Sequence, residues 1–100
     1  LPTIKALLII SQAKDTTNTV FKLYPNPNNG KMLLDYTLNA NEKGEIQIYD
    51  ISGKLVSRYE LENTKNQLTI DSEKLTNGVY VYHIIVNKNI VKSDKLIIIK

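Results

Sequence analysis

Residues 78–100 read GVYVYHIIVNKNIVKSDKLIIIK, and this run decides the fold. Tyr80, Tyr82, Ile84 and Val86 recur at period two and define one face of a strand; Val79, Val81, His83 and Ile85 define the other. Both faces are largely apolar, so the strand needs neighbours on each side. The dipeptide Asn77-Gly78 opens the run, and Asn87-Lys88-Asn89 turns the chain back through Ile90-Val91-Lys92. Past the polar pair Ser93-Asp94, the chain closes on Lys95-Leu96-Ile97-Ile98-Ile99-Lys100. Chain ends are usually polar and frayed. This one is among the most apolar and β-branched stretches of the sequence, so it must be paired, covered or read by a partner.

Working back toward the start, the same alternation recurs. Gln67–Asp71 forms a short strand with Leu68 and Ile70 inward, followed by Asp71–Asn77, an irregular turn with Leu75 as a plug. Lys54–Leu61 is the return arm of a tight hairpin whose outgoing arm is Glu45–Ile51. Between them Asp50 accepts hydrogen bonds from the turn, and Gly53 takes the left-handed position. Lys31–Leu38 places Met32, Leu34, Tyr36 and Leu38 on one face and Lys31, Asp35 and Thr37 on the other, as a half-buried antiparallel strand does. Val20–Tyr24 is the first strand. It stops at Pro25-Asn26-Pro27-Asn28-Asn29-Gly30, where two prolines cannot continue a ladder and Asn-Gly tolerates positive φ. Seven strands at a spacing of about 8–12 residues, with turn signals between them, predict an all-β, seven-stranded antiparallel immunoglobulin-like β-sandwich.

The 100-residue length suits one small domain, and 42% apolar residues supply a single thin core. The division expected is 1–19 as the end of an upstream region plus linker, and 20–100 as the folded domain. Leu1, in place of Met, leads us to expect a piece of a longer protein. Within Leu1–Ile10 the apolar run reads as a last strand of something upstream, with the end of a secretory signal as the other reading of Lys5–Ala13. Ser11–Asn18 is polar and aperiodic, a linker. No stretch approaches the roughly 20 apolar residues of a membrane-spanning helix.

Chemistry is sparse. The net charge is +3, with twelve Lys scattered and a lone Arg58, which argues for a solvated surface and against nucleic acid. Without Cys there is neither a disulfide nor a thiolate site. The single His83 sits mid-strand, as a sheet-face imidazole does, and Ser52 beside Gly53 is turn chemistry. Asp71 with Glu73, and Glu60 with Glu62, are the close carboxylate pairs, and both read as solvated charge rather than glycosidase machinery. Asp50 and the asparagines at 26, 28 and 29 are the oxygen-rich corners, but no calcium-loop spacing surrounds them. No glycine-rich phosphate loop follows any strand. We expect no catalytic residue, no metal and no cofactor. Tyr24, Tyr49 and Tyr59 offer a carbohydrate platform if they share a face, which keeps a small adhesion or glycan-binding module as the alternative. A fibronectin-like spacer is a third reading and expects more chain after Lys100.

Leu23-Tyr24-Pro25-Asn26-Pro27 with Gly30, then Ile48-Tyr49-Asp50-Ile51-Ser52-Gly53-Lys54, then Leu75 and Gly78-Val79-Tyr80, then Lys95–Lys100, come in an order and spacing that resemble the type A C-terminal sorting domain of the type IX secretion system. The resemblance covers about residues 20–100. It implies a folded, non-enzymatic domain at the end of exported cargo in certain Gram-negative bacteria. Such cargo crosses the inner membrane on a signal peptide, passes through the periplasm, and is carried by the outer-membrane translocon to the cell surface or medium. In many members a sortase-like peptidase cuts upstream of the domain. The cargo domain, the translocon and the peptidase are therefore the implied partners, and the cut would fall within Ser11–Asn18. By position, the implied recognition residues are Pro25, Asn26, Pro27, Gly30, Asp50, Gly53, Gly78, Tyr80, Lys95 and Lys100. Lys95 and Lys100 look like gatekeepers flanking an aggregation-prone strand, which either completes the core or stays readable for strand addition.

Overall fold

The computed structural model describes residues 20–100, and the expectations placed on residues 1–19 lie outside them. Among the described residues the fold is all-β, with seven strands. These are β1 (Phe21–Tyr24), β2 (Lys31–Tyr36), β3 (Gly44–Asp50), β4 (Leu55–Leu61), β5 (Gln67–Asp71), β6 (Gly78–Val86) and β7 (Asn89–Ile98). Two antiparallel sheets form, one ordered β1-β2-β5 and the other β4-β3-β6-β7.

The period-two pattern dictates what is buried. From the three-stranded sheet Leu23, Met32, Leu34, Tyr36 and Ile70 turn inward; from the four-stranded sheet Ile46, Ile48, Tyr80, Tyr82, Ile84, Leu96 and Ile98 do so, and all belong to one cluster. Each fully buried aliphatic side chain contributes about 1.5–3 kcal/mol through removal from water. Leu75 caps the core as expected, at 1% exposure. β6 lies between β3 and β7, so its backbone is paired along both edges; one face, with Tyr80, Tyr82 and Ile84, enters the core, while Val79 on the other is 44% exposed. At one seam the Lys92 Nζ donates to the Phe21 carbonyl (3.1 Å), tying β7 to β1 across the gap between the sheets.

Several boundaries differ from the sequence reading for local reasons. β2 ends at Tyr36, after which the Thr37 N–H closes the ladder on the Val20 carbonyl (3.0 Å); Leu38 still packs against the core. Ile51 belongs to the β3–β4 turn and is 79% exposed. The polar pair Ser93-Asp94 lies within β7, in keeping with the sequence reading: Ser93 pairs with His83 and Asp94 with Tyr82. An edge strand tolerates this polar pair because its outer side faces water. The β6–β7 register slips between Ile84 and Ile85, leaving Val91 as the extra residue of a bulge.

The β6–β7 turn consists of Asn87 and Lys88, with φ of 50° and 70°. Two successive positive values make it a two-residue hairpin turn whose twist matches the flanking strands. Asn tolerates that conformation; Lys does not, at a cost of about 1–2 kcal/mol. Lys88→Gly is therefore expected to raise unfolding free energy by about 1 kcal/mol, measured by urea denaturation.

Candidate functional site

The segment from Tyr24 to Gly30 cannot extend β1, because Pro25 and Pro27 lack N–H groups. Both the Tyr24–Pro25 and the Asn26–Pro27 peptide bonds are cis. The resulting corner folds onto the outer edge of β7. The Asn26 side chain behaves as a short piece of strand: its Nδ2 donates to the Lys95 carbonyl (2.8 Å) and its Oδ1 accepts from the Ile97 N–H (2.9 Å). Asn28 continues the pairing with its backbone. Its N–H donates to the Ile97 carbonyl (3.0 Å), and its carbonyl accepts from the Ile99 N–H (2.8 Å). These bonds form a parallel bridge between Asn28 and Ile98.

Further hydrogen bonds tie down this end of β7. Asp94 Oδ1 accepts from the Lys95 N–H (2.8 Å), and Asn77 Oδ1 accepts from the Lys100 N–H (2.6 Å). Lys100 Nζ reaches the Glu73 carbonyl (3.2 Å). Lys100 is exposed and also tethers the chain end to the Glu73–Asn77 loop. Lys95 keeps an exposed side chain, as a gatekeeper should.

Asn28 fixes the corner from inside. It is 7% exposed. Its Nδ2 donates to the Pro25 carbonyl (2.9 Å) and lies 3.5 Å from Met32 Sδ, while its Oδ1 accepts from the Gly30 N–H (2.7 Å). Gly30 has φ +103°, and a Cβ there would sit 2.7 Å from the Ser72 carbonyl oxygen. That carbonyl is held close because the Ser72 N–H donates to the Gly30 carbonyl (2.9 Å).

The β3–β4 turn reaches the same pole. Register places Asp50 opposite Tyr80 and Tyr80 opposite Leu96, while Gly78 pairs with Ile98. Asp50 Oδ1 accepts from the Ser52 hydroxyl (2.7 Å), the Lys54 N–H (2.9 Å) and the Ser52 N–H (3.0 Å). Those donors, the Ser52 hydroxyl first, hold its carboxyl below the usual aspartate range. Gly53 supplies the left-handed turn residue at φ +92°, with open space around it. The Tyr80 hydroxyl donates to the Thr76 carbonyl (2.8 Å), anchoring the loop that carries Leu75.

All ten residues singled out from the sequence therefore lie at one pole of the fold. Six of them, Pro25, Asn26, Pro27, Gly30, Lys95 and Lys100, belong to a single interlocked cluster. Sequence reasoning left Asn28, Ser72 and Asn77 out of the site. The signal for Asn28 was present: an Asn two residues before a Gly is the pattern of a side chain closing its own turn.

The other candidates disperse. Tyr59 packs against the core, Tyr49 lies on the outer face of the four-stranded sheet, and Tyr24 belongs to the other sheet, its hydroxyl donating to Asp35 Oδ2 (2.9 Å). They share no face and form no glycan platform. His83 packs edge-on against Tyr49, with ring centroids 5.2 Å apart. Glu60 lies 3.7 Å from Arg58 on the surface, and Asp71, Glu62 and Glu73 are exposed. A cleft lined by Glu42, Glu45, Arg58 and Asn87 lies at the opposite pole, where Arg58 bonds Glu45 (2.6 Å) and holds that carboxyl below its ordinary range.

Residues 22–100 match the family described as the secretion system C-terminal sorting domain. The chain belongs to this family. Its members are the C-terminal sorting signals of type IX secretion, which direct cargo to the cell surface or medium, and it is not an enzyme family. No curated protein matches the chain. The pieces of sequence that carried the resemblance to sorting domains are the pieces that the fold brings together: the Pro-Asn-Pro corner, the Asp-Ile-Ser-Gly hairpin, the Gly-x-Tyr start of β6 and the Lys-flanked closing strand.

Gly30→Ala combines a disfavoured φ with a backbone clash and should cost about 3 kcal/mol. Gly53→Ala has only the φ penalty and should cost about 1 kcal/mol. Thermal denaturation of the two variants checks the order.

Proposed function

We propose that the type IX translocon recognises this sorting domain through the pole built from Pro25, Asn26, Pro27, Gly30, Asp50, Gly53, Gly78, Tyr80, Lys95 and Lys100. The observation that carries this reading is the clasp of Asn26 and Asn28 on β7, which makes residues 71 positions apart in sequence into one surface. A receptor reading that surface reads the folded state as well as the sequence, because the pieces adjoin only after folding.

Residues 20–100 are the sorting domain, and residues 1–19 connect it to an upstream cargo domain. Cargo passes through the periplasm before reaching the translocon, and a sortase-like peptidase cuts within Ser11–Asn18. The shared core and the three-plus-four strand order support an immunoglobulin-like sandwich. The dispersal of Tyr24, Tyr49 and Tyr59 argues against the glycan-binding alternative.

The test uses the whole 100-residue chain, fused behind a signal peptide and a fluorescent reporter, in a type IX-competent bacterium and in its translocon-deficient counterpart. Reporter should appear outside the first and stay in the periplasm of the second. Deleting Lys95–Lys100 should abolish export. Normal export of that deletion would contradict the reading.

A further inference from the structure

The clasp covers only half of the β7 edge. Lys95 and Ile97 present their backbone polar groups outward, to Asp94, Asn26 and Asn28. Outward and inward groups alternate along an antiparallel edge strand. Ser93 therefore also points its N–H and carbonyl away from β6, beyond the reach of the corner. Among the described residues no strand pairs with β7 on that side.

The open half, Asn89–Ser93, is built unlike the other long edge of the same sheet. β4 carries Arg58 and Glu60 along its edge, charges of the kind that discourage pairing. The open half of β7 exposes Ile90 (59%) and Val91 (49%) instead. Its one charge, Lys92, is turned inward onto the Phe21 carbonyl. The exposed Lys88 and Lys95 flank the segment, and neither makes an ion pair among the described residues.

We propose that Asn89–Ser93 is a strand-addition site for an extended segment of the type IX machinery. That segment would be apolar where it meets Ile90 and Val91, with a carboxylate to meet Lys95 or Lys88. Backbone pairing supplies affinity in this mode, and the flanking side chains supply selectivity. The proposal rests on the sorting reading and adds to it the partner's form and the place where it pairs.

Ser93→Pro tests it. Proline removes an outward N–H without touching the bonds to β6, and edge positions accept it. Ser93→Ala keeps the N–H and serves as control. Val91→Lys is a second variant that guards the edge with charge and leaves the backbone intact. All are made in the reporter fusion of the full chain, with melting temperatures taken on the corresponding purified proteins. Expected is export of Ser93→Ala at the unaltered level, and retention of Ser93→Pro and Val91→Lys at the level of the translocon-deficient strain, with melting temperatures close to the parent. Normal export of a natively folded Val91→Lys overturns the proposal. Normal export of Ser93→Pro with a lowered melting temperature also overturns it, by assigning the edge to a segment of this chain. Failure of the unaltered fusion to be exported would instead overturn the sorting reading itself.

Discussion

Without Asn26 and Asn28, the outward Lys95 carbonyl, the amide and carbonyl of Ile97 and the Ile99 amide would form a bare strand edge beside one of the most apolar runs in the protein. Such an edge templates pairing with any other strand. A seventh strand completes the core through Leu96 and Ile98, both fully buried, so it cannot simply be made polar. The fold resolves the conflict by separating the two sides. The inner face is apolar and packed, and the outer edge is met by a corner that supplies two asparagines where a neighbouring strand would have supplied a backbone.

Much of the remaining structure follows from placing that corner. The prolines end β1 where the chain must leave its sheet, and they leave no N–H of their own unsatisfied. Asn28 is buried to hold the turn, which requires the Gly30 N–H as its partner and admits no side chain at Gly30. Ser72 must then lie against Gly30, which sets the end of β5 and the start of the loop that delivers Leu75 to the core. Asn77 receives the Lys100 N–H at the close of that same loop. The surface exists as a unit only in the folded domain; under the proposed recognition, the translocon would therefore receive cargo whose sorting domain has already folded.

The strands were legible because each alternates cleanly. Met32, Leu34 and Tyr36 in β2, and Tyr80, Tyr82, Ile84 and Val86 in β6, read inward from the sequence and are inward in the fold. The Asp50–Gly53 turn was legible for the same reason: its bonds are local, within four residues. What could not be read was every contact that closes across many positions. Asn26 and Ile97 are 71 residues apart, and nothing in either stretch encodes the other's distance or direction. The tethering bonds of Lys100 were not legible, because its partners, Asn77 and Glu73, come from a loop with no periodicity to place it.

Amide hydrogen exchange on the intact protein tests most directly whether the corner occupies the β7 edge. Edge amides facing solvent exchange readily, whereas bonded ones wait for opening. The account predicts that Ile97 and Ile99 are protected together although they lie on the outer edge, while Ser93 in the same strand exchanges fast. Fast exchange at Ile97 and Ile99, no slower than at Ser93, would contradict it.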